Sequence, residues 1–215
     1  MNERIHVPAD QAVSQADIAV GLRAGREAIE HAARAVAGLP DRFSAAAPAI
    51  GLLLSLQGSV VVTGLGKSGL VGAKLAATLS CTGTRAFFVH AGDALHGDAG
   101  AVGPADVVIA ISNSGETEEV CRFARIVKLD GVALIAMTSC RGTSTLGRMA
   151  DVLLDVRVDR ESDPYDLVPT SSTVATAVMG DALAIAVMVA RGFGPDDFLR
   201  HHPGGSLGRR LGGPV

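Results

Sequence analysis

The chain reads as an α/β protein in three layers, a parallel sheet between helices, with a helical N-terminal extension. Three observations predict this. From Gly58 onward, short β-branched apolar runs alternate with helical stretches, the order that builds βαβ crossovers. The runs are continuously apolar, as strands covered on both faces are. The length is 215 residues with 48% hydrophobic, enough for one well-buried core.

The elements follow in order. Residues 10–57 read as helices. Ile18, Leu22, Ala28, Ile29 and Ala33 fall near one stripe, Leu39-Pro40-Asp41 interrupts the pattern and offers an N-cap, and a second run passes through Ile50, Leu53, Leu54 and Leu56. The predicted strands are 59–63, 85–90, 107–112, 133–138 and 152–156. The predicted helices between and after them are 67–80, 116–128, 144–149 and 172–191. This divides the chain into an extension over 1–57 and an α/β domain over 58–215, one structural unit overall. Residues 174–190 are apolar almost throughout. The stretch is slightly short for a bilayer and holds Asp181 near its middle, so it reads as a core or interface helix and no membrane association is expected.

Composition removes several function classes. Nineteen Lys and Arg against 22 Asp and Glu leave a net charge of −3, without the basic footprint of a nucleic-acid binder or a polybasic membrane anchor. Tryptophan is absent and aromatics are 3%, so base-stacking platforms are not expected. Cys81, Cys121 and Cys140 are widely spaced, without CxxC or Cys/His zinc spacing, which fits a reducing compartment. Residues 1–15 have neither a signal-peptide core nor transit-peptide character, so a cytoplasmic location is expected.

In open α/β sheets ligands bind beyond the carboxyl ends of the strands, so the loops there carry the chemistry. In the first, Gly64, Gly66 and Gly69 match GxGxxG. The next strand ends in His90 instead of an acidic residue, which argues against a dinucleotide, and a P-loop would need glycine at Val61. What remains is an anion site at a helix N-terminus, Gly66 with Lys67 and Ser68, and Lys67 is one of only three lysines. The loop 112–117 gathers the hydroxyls of Ser112, Ser114 and Thr117 around Asn113 and Gly115, donors suited to a phosphate monoester. The plainer reading is an N-cap box, Ser112 or Ser114 with Glu116, Thr117 or Glu118 behind it. The loop 90–98 holds His90, Asp93, His96 and Asp98, which suit proton transfer; the six-residue spacing of the histidines is a weak metal signal. Further on, Glu161 approaches a second hydroxyl-rich helix start, Thr170, Ser171, Ser172 and Thr173. There a carboxylate can serve as a base, although capping alone explains the hydroxyls. Last comes His201-His202-Pro203-Gly204-Gly205, a terminal segment able to dock into a site, its own or a neighbour's.

Taken together, the stretches Gly66-Lys-Ser-Gly69, Phe87 to Asp98, Ile111-Ser-Asn-Ser-Gly-Glu116, Pro169-Thr-Ser-Ser-Thr173, Met179-Gly-Asp-Ala-Leu183 and His202-Pro-Gly-Gly-Ser-Leu-Gly208 resemble the sugar isomerase (SIS) domain of D-arabinose 5-phosphate isomerases over roughly residues 58–211. The resemblance implies a five-stranded, flavodoxin-like parallel sheet and a homotetramer. It implies interconversion of D-ribulose 5-phosphate and D-arabinose 5-phosphate, which supplies 3-deoxy-D-manno-octulosonate and lipopolysaccharide synthesis. By the same resemblance Ser112, Ser114 and Thr117 hold the phosphate, with Ser68 and the Thr170–Thr173 turn in the same pocket. Lys67, His96, Glu119, Glu161 and His202 stand near the reacting carbons, His202 coming from an adjacent subunit. Many relatives carry a tandem pair of CBS domains after this region; the sequence ends at Val215 and is expected to be a SIS-only form. Ala91 and Asp93 stand where relatives often have Pro and Glu.

The chemistry accounts for these residue types. One carboxylate, Glu119 or Glu161, can carry a proton between C1 and C2 through a cis-enediolate. Lys67 or a histidine can meet the developing oxyanion, and His96 or His202 suits ring opening. There is no net oxidation, so no metal and no nicotinamide cofactor is expected. Two other readings exist: another phosphosugar isomerase of the 6-phospho-3-hexuloisomerase type, and a non-catalytic phosphosugar-binding regulator. The regulator would need only the 112–117 cradle and a basic DNA-binding module, which the Ala-rich N-terminal helices do not resemble.

Overall fold

A five-stranded, all-parallel sheet runs through the middle of the protein. Its strands are β1 (Val60–Gly64), β2 (Ala86–His90), β3 (Val107–Ile111), β4 (Ala133–Thr138) and β5 (Val152–Asp155), in the order β2-β1-β3-β4-β5. The computed structural model describes residues 14–140 and 143–201. Each strand matches one of the apolar runs to within a residue at either end. Alternate side chains enter two separate cores. Val60, Val62, Ile109, Ile111, Ile135 and Met137 belong to one, and Val61, Val108, Ala110, Leu134 and Ala136 to the other. With apolar surface demanded on both faces, the runs could not alternate with polar residues.

The first face is covered by α1 (Gln15–Ala37), α2 (Leu39–Phe43), α3 (Ala47–Leu54), α4 (Gly66–Cys81) and α8 (Ser171–Ala190). The second carries α5 (Ala91–Ala94), α6 (Glu118–Leu129) and α7 (Thr145–Met149); α9 (Pro195–His201) follows α8. Ala35, Leu39, Ala46, Ala49 and Leu53 of the N-terminal helices are buried in the same core as α4 and α8.

Two expectations about these helices are corrected. Of the stripe Ile18, Leu22, Ala28, Ile29 and Ala33, only Ala28 turns towards the core; the other side chains are exposed. The face of α1 turned inward runs through Ala28, Ala32 and Ala35, whose small side chains let α1 approach α8 closely. At the interruption the N-cap is Gly38, just before Leu39-Pro40-Asp41 and not within it, because Pro40 fits the first helical turn, where its missing N–H would be unpaired anyway.

The apolar helix α8 is long and apolar enough to cross a membrane by length and composition. One of its faces (Ala175, Met179, Leu183, Ala184, Val187) is buried in the core, and Asp181 is ion-paired with Lys74 of α4. The two helices meet at Gly180, where an added Cβ would lie 2.9 Å from Leu75 Cδ1. Leu75 is itself buried, at 2% exposure, and has little room to move. Gly180→Ala is therefore expected to lower stability by about 1–3 kcal/mol, the usual cost of overpacking, read as a shift in the denaturation midpoint at unchanged m-value.

The order β2-β1-β3-β4-β5 reverses direction between β1 and β3, the point where the loops after two neighbouring strands part and leave a crevice. Register sets the loops level: Gly64 lies beside both His90 and Ile111, and Ile111 beside Met137.

Candidate active site

The crevice holds a cavity of about 210 Å³ lined by Lys67 and Ser68 from the start of α4, Asn113 from the loop after β3, and Pro169, Ser172 and Thr173 at the start of α8. The chemistry-bearing loops after β1, β3 and β5 thus meet at one place.

At α4 the strand-to-helix turn is built from glycines. Gly66 has φ +58°. An added Cβ on Gly64 would lie 3.0 Å from Ser68 C, and one on Gly69 would lie 3.1 Å from Gly64 O. The glycine pattern therefore serves close packing of α4 on β1. Leu65 is the N-cap and gives no side-chain cap, so the first amides of α4 are left for another acceptor. Lys74 and Lys128 are each paired with an aspartate, Asp181 and Asp151. Lys67 is exposed at the cavity and has no carboxylate partner among the described residues.

The loop 112–117 is a folded clamp. Ser112 is buried, its Oγ 2.9 Å from Thr117 Oγ1 and accepting from Gly115 N at 3.1 Å. Ser114 is exposed and its Oγ accepts from Glu116 N at 3.2 Å. Thr117 is the N-cap of α6 but makes no side-chain cap bond, since its hydroxyl is turned to Ser112. The alternative reading of this loop as an N-cap box gains nothing from Glu116: its Oε1 accepts from Thr145 N at 2.8 Å, so this carboxylate caps α7 and not α6. That contact, with the Thr145 side chain as its largest part, holds the Glu116 carboxyl below the usual carboxylate range.

Glu161 is buried at 9% exposure, and its Oε2 caps α8. It accepts from Thr170 N at 2.8 Å, Thr170 Oγ1 at 3.2 Å and Ser172 N at 3.1 Å. Ser172 lines the cavity, so the carboxylate is one hydrogen bond from it. Oε1 has no hydrogen-bond partner among the described residues. The cap is therefore a distant carboxylate rather than a hydroxyl of the Thr170–Thr173 turn, and Ser171 Oγ is spent on Ser162 Oγ at 2.7 Å. Asp163 ties the intervening loop, accepting from the amides of Tyr165, Leu167 and Val168 at 2.7–2.9 Å. The Val168 amide is the largest cause of its lowered pKa.

Other candidates lie outside the cavity wall. Glu119 is half-buried in the first turn of α6 with no side-chain partner among the described residues. His96 is exposed in the turn after α5. His202 falls outside the described residues. His90, which ends β2, lines a second cavity of about 450 Å³ together with Gly66, Lys67, Leu70 and Phe88. Its Nδ1 is 3.6 Å from Asp93 Oδ2, too long for a hydrogen bond. Lys67 lines both cavities. Among the described residues no three His, Cys, Asp or Glu side chains are grouped as a metal ion would require.

A family model for the SIS domain matches residues 53–186, a span that holds every residue lining the first cavity. The chain belongs to the SIS domain family. This SIS chain is 56% identical over 155 residues to the arabinose 5-phosphate isomerase KdsD of Escherichia coli strain CFT073, covering 72% of this chain and 47% of that protein. It is 49% identical over 194 residues to the arabinose 5-phosphate isomerase GutQ of Escherichia coli strain K12, covering 88% and 59%. It thus spans about half the length of the curated relatives it matches. Its fold superposes on that of an E. coli CFT073 protein solved in complex with arabinose 5-phosphate, with TM-score 0.82 and 38% identity, over 89% of this chain and 100% of that one.

Proposed function

We propose that this chain is an aldose–ketose isomerase interconverting D-ribulose 5-phosphate and D-arabinose 5-phosphate. The observation that carries the reading is the cavity at the β1/β3 reversal, where Lys67, Ser68, Asn113 and Ser172 converge one hydrogen bond from the Glu161 carboxylate. The 56% identity to a named arabinose 5-phosphate isomerase supports the choice of sugar.

In this reading the phosphate sits on the 112–117 clamp and the unpaired first amides of α6 and α4, with Ser68 beside it. Anchoring there spends binding energy far from the reacting carbons and positions them. Glu161 Oε1 takes a proton from C1 of the ketose while the C2 carbonyl becomes an enediolate oxygen. The same carboxyl then returns a proton to C2, and the oxygen-bound proton passes from O1 to O2, leaving an aldehyde at C1 and a hydroxyl at C2. Lys67 stabilises the negative oxygen as it forms. Glu119 is the other candidate base; Glu161 is favoured because its carboxylate is hydrogen-bonded to a residue of the cavity wall. His96 and His202, the latter from an adjacent subunit, serve ring opening.

The proposal extends to setting. It places the enzyme in the cytoplasm, upstream of 3-deoxy-D-manno-octulosonate and lipopolysaccharide synthesis. It is a homotetramer without nucleic-acid or membrane partners, working without a cofactor. The exposed apolar side chains of Ile18, Leu22 and Ile29 on α1 suit a subunit interface.

Proton NMR of the purified protein with ribulose 5-phosphate in D₂O tests the reaction. Formation of arabinose 5-phosphate carrying deuterium at C2 is expected. Turnover of a different phosphosugar with none of this one would overturn the substrate, and no exchange with any phosphosugar would overturn the enzyme.

A further inference from the structure

The 112–117 loop, whose Asn113 lines the cavity, is tied down from outside it. Asn113 O accepts from Ser139 N at 3.0 Å and Thr138 Oγ1 at 3.1 Å. Gly115 O accepts from Leu146 N at 3.0 Å, and Glu116 Oε1 from Thr145 N at 2.8 Å. All these donors lie on the segment that runs from the end of β4 into α7. The fit is tight: Gly115 has φ +67°, and an added Cβ would come within 2.1 Å of Ser144 Oγ. Within this brace Glu116 supplies the sole carboxylate, set on the N-terminus of α7 where the helix favours negative charge. Its own amide is hydrogen-bonded to Ser114 Oγ, so the residue joins the exposed Ser114 hydroxyl to α7.

We propose that Glu116 is a positioning residue for phosphate binding: anchored on the first turn of α7, it fixes where Ser114 and the start of α6 meet the substrate phosphate. The inference rests on the reading that the 112–117 loop binds that phosphate. Glu116 touches no reacting atom, so losing the anchor loosens the grip on the phosphate and leaves the proton transfer intact. This separates it from Glu161, whose loss stops the reaction.

Two variants test the contact from its two ends. Glu116→Ala deletes the acceptor. Thr145→Pro deletes both the donor N–H and the hydroxyl beside Glu116 while keeping α7, because residue 145 is the first helical position after the Ser144 N-cap, where proline is tolerated, and Ser144 has the extended backbone (φ −76°, ψ 164°) that precedes proline well. Each is expected to raise KM for ribulose 5-phosphate and the inhibition constant of inorganic phosphate about tenfold, the scale of one charge-assisted hydrogen bond, with kcat within about twofold. The double variant should be no worse than either single one, because both remove the same contact. Glu116→Gln, which keeps an acceptor oxygen, should recover most of the loss. If both single variants fold and match the wild type in KM and phosphate inhibition, the inference is overturned while the isomerase reading stands. A lowered melting temperature with unchanged phosphate affinity assigns Glu116 a structural role only and overturns it equally. If the wild type itself binds neither inorganic phosphate nor ribulose 5-phosphate, the loop is no phosphate clamp and both readings fall.

Discussion

Glutamine in place of Glu161 is expected to lower kcat for ribulose 5-phosphate by about 10²–10⁴-fold, the usual contribution of a positioned base, and to abolish deuterium incorporation at C2. The reasoning turns on the division of labour between the two carboxylate oxygens. Oε2 accepts three hydrogen bonds from the start of α8, which glutamine's carbonyl oxygen can also accept. Oε1, without a partner among the described residues, becomes an amide nitrogen that cannot receive a carbon-bound proton. The fold should therefore survive the change and the chemistry should not. Alanine removes both functions: the Thr170 and Ser172 amides lose their acceptor, which costs a further 1–3 kcal/mol or so of stability. Thermal denaturation of the two variants beside the exchange assay separates the roles. Should Glu161→Gln retain exchange and Glu119→Gln lose it, the base is Glu119 and Glu161 is only the cap of α8.

That cap shows where sequence reasoning stopped. The strands were legible because the central ones, β1, β3 and β4, are buried on both faces, which forces unbroken apolar runs such as Val107 to Ile111; the edge strand β2 is less covered, with Phe87 exposed. The glycines at 64, 66 and 69 were legible as a tight turn before a helix, although their immediate use is the packing of α4 on β1. Contacts made across the rim of the sheet were not legible. Glu161 reaches Ser172 across eleven residues, and Glu116 reaches Thr145 across twenty-nine, and neither pairing leaves a periodicity or a spacing rule in the chain. Glu116 lies within the stretch that also reads as an N-cap box for α6, with Ser112 or Ser114 as the cap, yet its side chain reaches α7, and Thr117 turns towards Ser112. The orientation of α1 is hidden in the sequence for a related reason. Large apolar residues such as Leu22 and Ile29 mark the stronger stripe, yet close approach to α8 selects the alanine face.

Lys67→Met is expected to lower kcat by about 10²–10³-fold, as loss of a preorganised donor to a developing oxyanion does in other enzymes, with little change in stability. Its setting argues for a ligand-directed role. A cation in the first turn of a helix is electrostatically disfavoured, and α4 has no acidic residue in that turn to offset it. The other two lysines both have aspartate partners, while Lys67 stands exposed between two cavities. Removing it therefore breaks no ion pair among the described residues, and a change in rate reports on the substrate. The split between kinetic constants then locates its action. A fall in kcat at steady KM places the ammonium at the oxygen that becomes charged between C1 and C2; a rise in KM at steady kcat places it on the phosphate instead, alongside Ser68 and the clamp. Arginine should not restore the lost rate in the first case, because a planar guanidinium cannot occupy the position of a compact ammonium beside a single oxygen, whereas on a phosphate it would serve about as well.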